Sequence, residues 1–165
     1  MRLLRTLLPA LLLALPMSLG AQLRTLTPDD LFELETVAEP AVSPDGTHIV
    51  YVRRWSDRMT DRRYANLWIV RRDGTGHRPL TSGRTVESAP VWSPDGTRLA
   101  FVSSRGGAPP LWVRWMDRGD ELQLTHAPEP PSAPAWSPDG AQLAFLRLVA
   151  TPPLVIGTPL VPPPG

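Results

Sequence analysis

Three short apolar runs dominate the patterning of this chain. They read HIVYV (48–52), LAFVS (99–103) and LAFLR (143–147), and each comes shortly after a Ser-Pro-Asp-Gly step, at Ser43–Gly46, Ser93–Gly96 and Ser137–Gly140. The runs do not alternate apolar with polar, so they predict strands covered on both faces. At four or five residues between Gly or Arg they are too short for buried helices. The step itself predicts a hairpin. Proline presets φ at the second turn position, aspartate suits the third, glycine takes the left-handed closing conformation, and the serine hydroxyl bonds back onto the turn. Its aspartate is therefore expected to be structural, not catalytic.

The three steps lie 50 and 44 residues apart, and more than the step repeats. NLWIV (Asn66–Val70) returns as PLWVR (Pro110–Arg114), and Leu80-Thr81 returns as Leu124-Thr125, each 44 positions on. The longer first interval has one source: 13 residues separate Val52 from Asn66, against 7 between Val102 and Pro110. A unit of this length made of short strands predicts a β-propeller with four-stranded blades. In the second copy the strands are expected at Pro90–Ser93, Arg98–Ser103, Leu111–Trp115 and Leu122–Thr125. Trp92 and Trp136 share one repeat position, and Trp68 and Trp112 another. All four read as packing between blades, each burying on the order of 200 Å². Ahead of the repeats, LTPDDLFELETV predicts one short helix. Thr27 would be its N-cap and Pro28 its first residue, with Asp29 and Asp30 at the positive end of the dipole. Leu31, Leu34 and Val37 would share a face against the edge of the first blade.

Composition adds constraints at the ends. Arg2 and Arg5 precede an apolar run from Leu7 to Leu15, followed by Ser18, Gly20 and Ala21, which is the order of a secretory signal peptide cleaved near residue 21. Pro9 and Pro16 interrupt the run, which falls short of the roughly 20 apolar residues that span a bilayer. The expected organisation is a signal peptide (1–21), a segment with the short helix (22–39), propeller blades (40–149) and a proline-rich tail or interrupted blade loop (150–165). The mature protein is expected to be periplasmic or secreted, with no membrane association after cleavage. Losing the leader takes the net charge from +1 to −1, which gives no electrostatic case for nucleic acid. With no cysteine, disulfides and thiolate metal sites are excluded.

No catalytic, cofactor-binding or metal-binding residues are expected. The nucleophile elbow Gly-x-Ser-x-Gly is absent: Ser18 has Pro16 two residues before it and Ser104 has Val102. His48, His77 and His126 stand apart in or beside turns, without the carboxylate-oriented arrangement of a triad. GTGHRP (Gly74–Pro79) has proline where a third phosphate-loop glycine would fall, and lies between strands, so nucleotide binding is rejected. Arg118-Gly119-Asp120 sits where a turn needs Gly and Asp. The insertion Arg53–Ala65 holds five arginines and two aspartates. It reads as a solvated hairpin, or as a loop that reaches a substrate carboxylate, a catalytic domain or a second subunit.

The blade region amounts to about two and a half units, whereas closed propellers need roughly four to eight. The third copy has no Leu-Trp strand after it. The chain is therefore expected to be the front portion of a longer protein. From LTPDDLFELETVAEPAVSPDGTHIVYVRR through the WSPDG and NLWIV marks it resembles the N-terminal propeller of exported bacterial serine peptidases of the prolyl oligopeptidase family, in the dipeptidyl-peptidase and acylaminoacyl-peptidase branch. The resemblance covers about Leu26 to Gly165. It implies a propeller that caps a C-terminal α/β-hydrolase domain, absent from this chain, and restricts access to short peptides. Alone, the chain should be inactive. The alternative resemblance is to non-catalytic periplasmic TolB-like propellers that bind proteins. Those place a sizeable domain between leader and first blade, where this chain has about 20 residues.

Overall fold

A computed structural model describes residues 25–107, 109–126 and 128–149. The expected signal peptide and proline-rich tail lie outside the described residues. Within them the chain is all-β apart from one helical turn, as the repeat predicts. Blade 1 is the antiparallel sheet β1 (Thr36–Val42), β2 (His48–Asp57), β3 (Arg62–Arg71) and β4 (Arg78–Pro79), in that order across the sheet. Blade 2 repeats it with β5 (Glu87–Trp92), β6 (Arg98–Ser103), β7 (Leu111–Trp115) and β8 (Glu121–Gln123). A third unit contributes the hairpin β9 (Ser132–Trp136) and β10 (Leu143–Leu146). β6 and β7 have the bounds read from sequence, whereas β5 begins earlier than Pro90 and β8 is shorter than Leu122–Thr125.

The Ser-Pro-Asp-Gly turns are built alike. Ser43 Oγ donates to Asp45 Oδ1 at 2.5 Å and accepts from the His48 amide at 2.9 Å, while the Gly46 amide donates to the Ser43 carbonyl. Ser93 and Ser137 make the same bonds to Asp95 and Asp139. Gly46, Gly96 and Gly140 hold φ near +70°, a conformation costly for residues with a Cβ. The Leu-Thr pairs also have one function. Thr81 Oγ1 accepts from the Leu67 amide and Thr125 Oγ1 from the Leu111 amide, both at 2.9 Å, so a threonine just past each fourth strand caps the third.

Sequence reasoning does not foresee the bulge in every first strand. Glu39, Ala89 and Ala133 occupy one repeat position, each just before a proline, and hold φ of 52°, 51° and 47°. The register of β1 with β2 and of β5 with β6 shifts at this point. The bulge turns the Ala89 amide out of its own sheet, where it donates to Glu39 Oε2 of blade 1 at 2.6 Å.

The core lies between the sheets. Val50, Val52, Leu67 and Ile69 of blade 1 form one buried cluster with Leu99 and Phe101 of blade 2, with Trp92 and Trp112 packed against it. Alternation puts Tyr51 and Trp68 on the opposite face of blade 1. Among the described residues Trp68 meets no second blade: it lies under the Arg53 guanidinium, 4.5 Å from the ring centroid, beside His77. In the third unit Phe145 and Leu146 remain 39% and 66% exposed, since a two-stranded piece covers only part of what a blade would.

The helix is also corrected. α1 spans only Asp30–Glu33, and Asp29, not Thr27, stands at its N-cap. The Thr27 amide and hydroxyl both donate to Asp30 Oδ2, at 2.6 and 2.9 Å, so the threonine gives hydrogen bonds where a cap would accept them. Leu34 is already extended and Val37 belongs to β1, because the chain must straighten to pair with β2. Leu31, Leu34 and Val37 are exposed.

Candidate functional site

The six extra residues of blade 1 lengthen a strand pair. β2 and β3 stay in register out to Asp57 opposite Arg62, so the insertion becomes the far half of a long hairpin. Its aromatic pair, Trp55 opposite Tyr64, lies with ring centroids 5.7 Å apart. The hairpin is anchored, not solvated throughout. Ala65 forms a parallel bridge with Val86, and its amide donates to the Thr85 carbonyl at 2.9 Å. Arg53 pairs with Glu35, Arg54 with Glu39, Arg58 with Asp29 at 3.1 Å, and Arg84 with Asp57 at 3.0 Å.

Between this hairpin, α1 and Val86 opens a cavity of about 770 Å³. Leu31, Phe32, Trp55 and Tyr64 supply apolar wall, and Arg54, Arg62, Arg63 and Asp61 also line the cavity, Arg54 being paired with Glu39. Arg62 and Arg63 form no ion pair among the described residues. An apolar cleft bordered by cations suits a peptide segment that carries a carboxylate. Sequence reasoning found the arginines through the broken repeat. It missed the aromatic wall, because Trp55 and Tyr64 meet only once the strands pair.

A buried polar network also escaped it. Glu87 has a fully buried side chain, and its Oε1 accepts from Thr85 Oγ1 at 2.9 Å and Ser103 Oγ at 3.1 Å. Arg105 Nε lies 3.8 Å from Glu87, while Arg105 and Arg114 both bond Glu121, at 2.5 and 2.7 Å. Burial pushes the Glu87 carboxyl up from its ordinary range, against the pull of its hydroxyl donors and Arg105. Nothing in the spacing of Glu87, Arg105 and Glu121 marks them as partners.

The remaining sequence candidates are scattered. His77 stacks with Tyr51 and Trp68 on the outer face of blade 1, His126 is exposed, and His48 opens β2 beside the first turn. Ser104 accepts from the Val86 amide at 2.8 Å. Arg118-Gly119-Asp120 closes the turn between β7 and β8, with the Gly119 amide donating to the Trp115 carbonyl and Arg118 3.8 Å from Asp120. The structure brings none of these histidines and serines together as a triad.

Comparison with known proteins agrees with this architecture: the model of the TolB beta propeller domain, PD40, matches residues 30–151. This chain belongs to the PD40 family. Among curated relatives, dipeptidyl-peptidase 5 of Porphyromonas gingivalis is 40% identical over 86 residues, covering 52% of this chain and 13% of that protein. The uncharacterized peptidase YuxL of Bacillus subtilis is 36% identical over 98 residues, covering 59% of this chain and 15% of that protein. The PD40 chain thus spans a small part of the peptidases it matches. Among solved structures, the acylaminoacyl peptidase of Pyrococcus horikoshii superposes with a TM-score of 0.60 at 16% identity, over 70% of this chain and 18% of that one. That likeness shows the fold.

Proposed function

We propose that this PD40 propeller is the substrate-gating part of an exported serine peptidase acting on short peptides, with hydrolysis carried by an α/β-hydrolase domain of the same longer polypeptide. The observation that carries the reading is the pair of peptidase relatives, matched over 86 and 98 residues at 40% and 36% identity. The cationic, aromatic cleft beside the hairpin supports it, because a gate must recognise peptides without cutting them. The leader-like residues 1–21 support export to the periplasm or beyond.

The test compares the whole gene product with residues 22–149 alone. The whole product should hydrolyse dipeptidyl or acyl-aminoacyl reporters and label with a fluorophosphonate at a serine outside this chain, and the short form should do neither. Labelling of a serine within residues 22–149 would overturn the assignment. A second reading, a non-catalytic binding propeller, is favoured by the TolB description of the family itself. It predicts no labelling in either form.

A further inference from the structure

At four equivalent repeat positions the two seams between blades differ by one substitution. In the second seam Arg98 lays its guanidinium over Trp136, 4.7 Å from the ring centroid. Its Nη2 donates to the Gly140 carbonyl at 2.9 Å and lies 3.8 Å from Asp95 Oδ2. An aromatic face, a turn carbonyl and a turn carboxylate thus hold one planar cation.

The first seam offers the equivalent groups in Trp92, Gly96 and Asp45, but the position of Arg98 is taken by His48. The imidazole is shorter and is engaged locally, with Nδ1 2.7 Å from Thr47 Oγ1. A cavity of about 300 Å³ remains, lined by His48, Asp45, Trp92, Asp95, Gly96 and Arg78 among others.

We infer that this cavity is a guanidinium site that takes the arginine side chain of a peptide, as the neighbouring seam takes Arg98. Its chemistry is set by the fold. Trp92 is fixed by its bond to the Ala41 carbonyl at 3.1 Å, and the Asp45 and Asp95 carboxylates are held in place by their own turns. Arg78 is the opposing charge at the cavity wall. The inference does not depend on the peptidase reading, since a binding propeller would present the same seam.

The probe is N-acetylarginine amide, titrated into the whole gene product by NMR or calorimetry, with the citrulline analogue as the neutral isostere. Arginine should bind saturably and at least about tenfold more tightly than citrulline, because the bonds are charge-assisted and the aromatic face favours a cation. His48→Arg fills the seam from within and should abolish binding while the melting temperature holds or rises. Arg78→Gln removes a competing cation and should tighten binding. Equal binding of citrulline, or undiminished arginine binding by a folded His48→Arg protein, would overturn the assignment. Should His48→Arg not fold, the citrulline comparison and Arg78→Gln decide: no arginine preference, or weaker binding by Arg78→Gln, refutes the site.

Discussion

The indole N–H of Trp92 donates to the carbonyl oxygen of Ala41, 3.1 Å away in the preceding blade, and Trp136 makes the same bond to Val91 at 3.2 Å. The repeated tryptophan is therefore both wedge and clasp. Trp92→Phe keeps most of the wedge and loses the clasp, leaving the half-buried Ala41 carbonyl without this donor. The expected cost is about 1 kcal/mol, read by urea denaturation of the whole product, and Trp136→Phe should behave alike at its own seam. No loss in either variant would show that the indole bond is incidental.

The bulge position yields a prediction of opposite sign. Ala89 and Ala133 hold a left-handed conformation that costs a residue with a Cβ roughly 1–2 kcal/mol. Glycine removes that strain but adds freedom to the unfolded chain, so Ala89→Gly should stabilise by about 0.5–1 kcal/mol. A fall in denaturation midpoint would mean that the methyl group packs usefully.

Acid should act through the turns. Hydrogen bonds from Ser43 and Thr47 hold the Asp45 carboxyl down to about 2, and those from Ser93 and Thr97 hold Asp95 at about 2. A depressed carboxylate contributes stability that is present above its unfolded pKa and lost as pH falls toward the folded one. Melting temperature should therefore drop between about pH 4 and 2, and Asp95→Asn should flatten that limb. An unchanged acid limb in the variant would refute the assignment.

Glu87 runs the other way. Its carboxyl is raised by burial, so the fold favours the protonated form and stability declines as pH rises through the unfolded pKa and on through the folded one. Glu87→Gln keeps an acceptor for Thr85 and Ser103 and removes the buried charge. Arg105 is not stranded, because Glu121 remains 2.5 Å from it. The variant should match the parent at pH 4.5 and exceed its melting temperature at pH 8. The reverse ordering at pH 8 would show that the Glu87–Arg105 attraction outweighs desolvation.

Most of the architecture was legible because the repeat states it more than once. Ser93–Gly96 has a local structure confined to a few neighbouring residues, so the turn is readable from four letters, and β6 and β7 follow from the apolar run and the Leu-Trp mark. Legibility failed where distant groups decide the outcome. Glu39, Ala89 and Ala133 precede proline, which argues for extended backbone, yet the curvature of each first strand imposes the bulge. Val37 has helical spacing from Leu31 and Leu34 but is claimed by pairing with β2. The hairpin cleft was half visible, since the broken period exposed Arg53–Ala65 while nothing local said that Trp55 and Tyr64 would face each other.

One letter in the first blade carries a last consequence. Where blade 2 has Trp92 and the third unit has Trp136, blade 1 has Val42, which is largely exposed. Each later unit reaches backward through its indole to its predecessor, a bond that Val42 has no donor to make. The indole clasps consequently all run one way, each made by the later unit on the one before it, in the order in which a ribosome would deliver them.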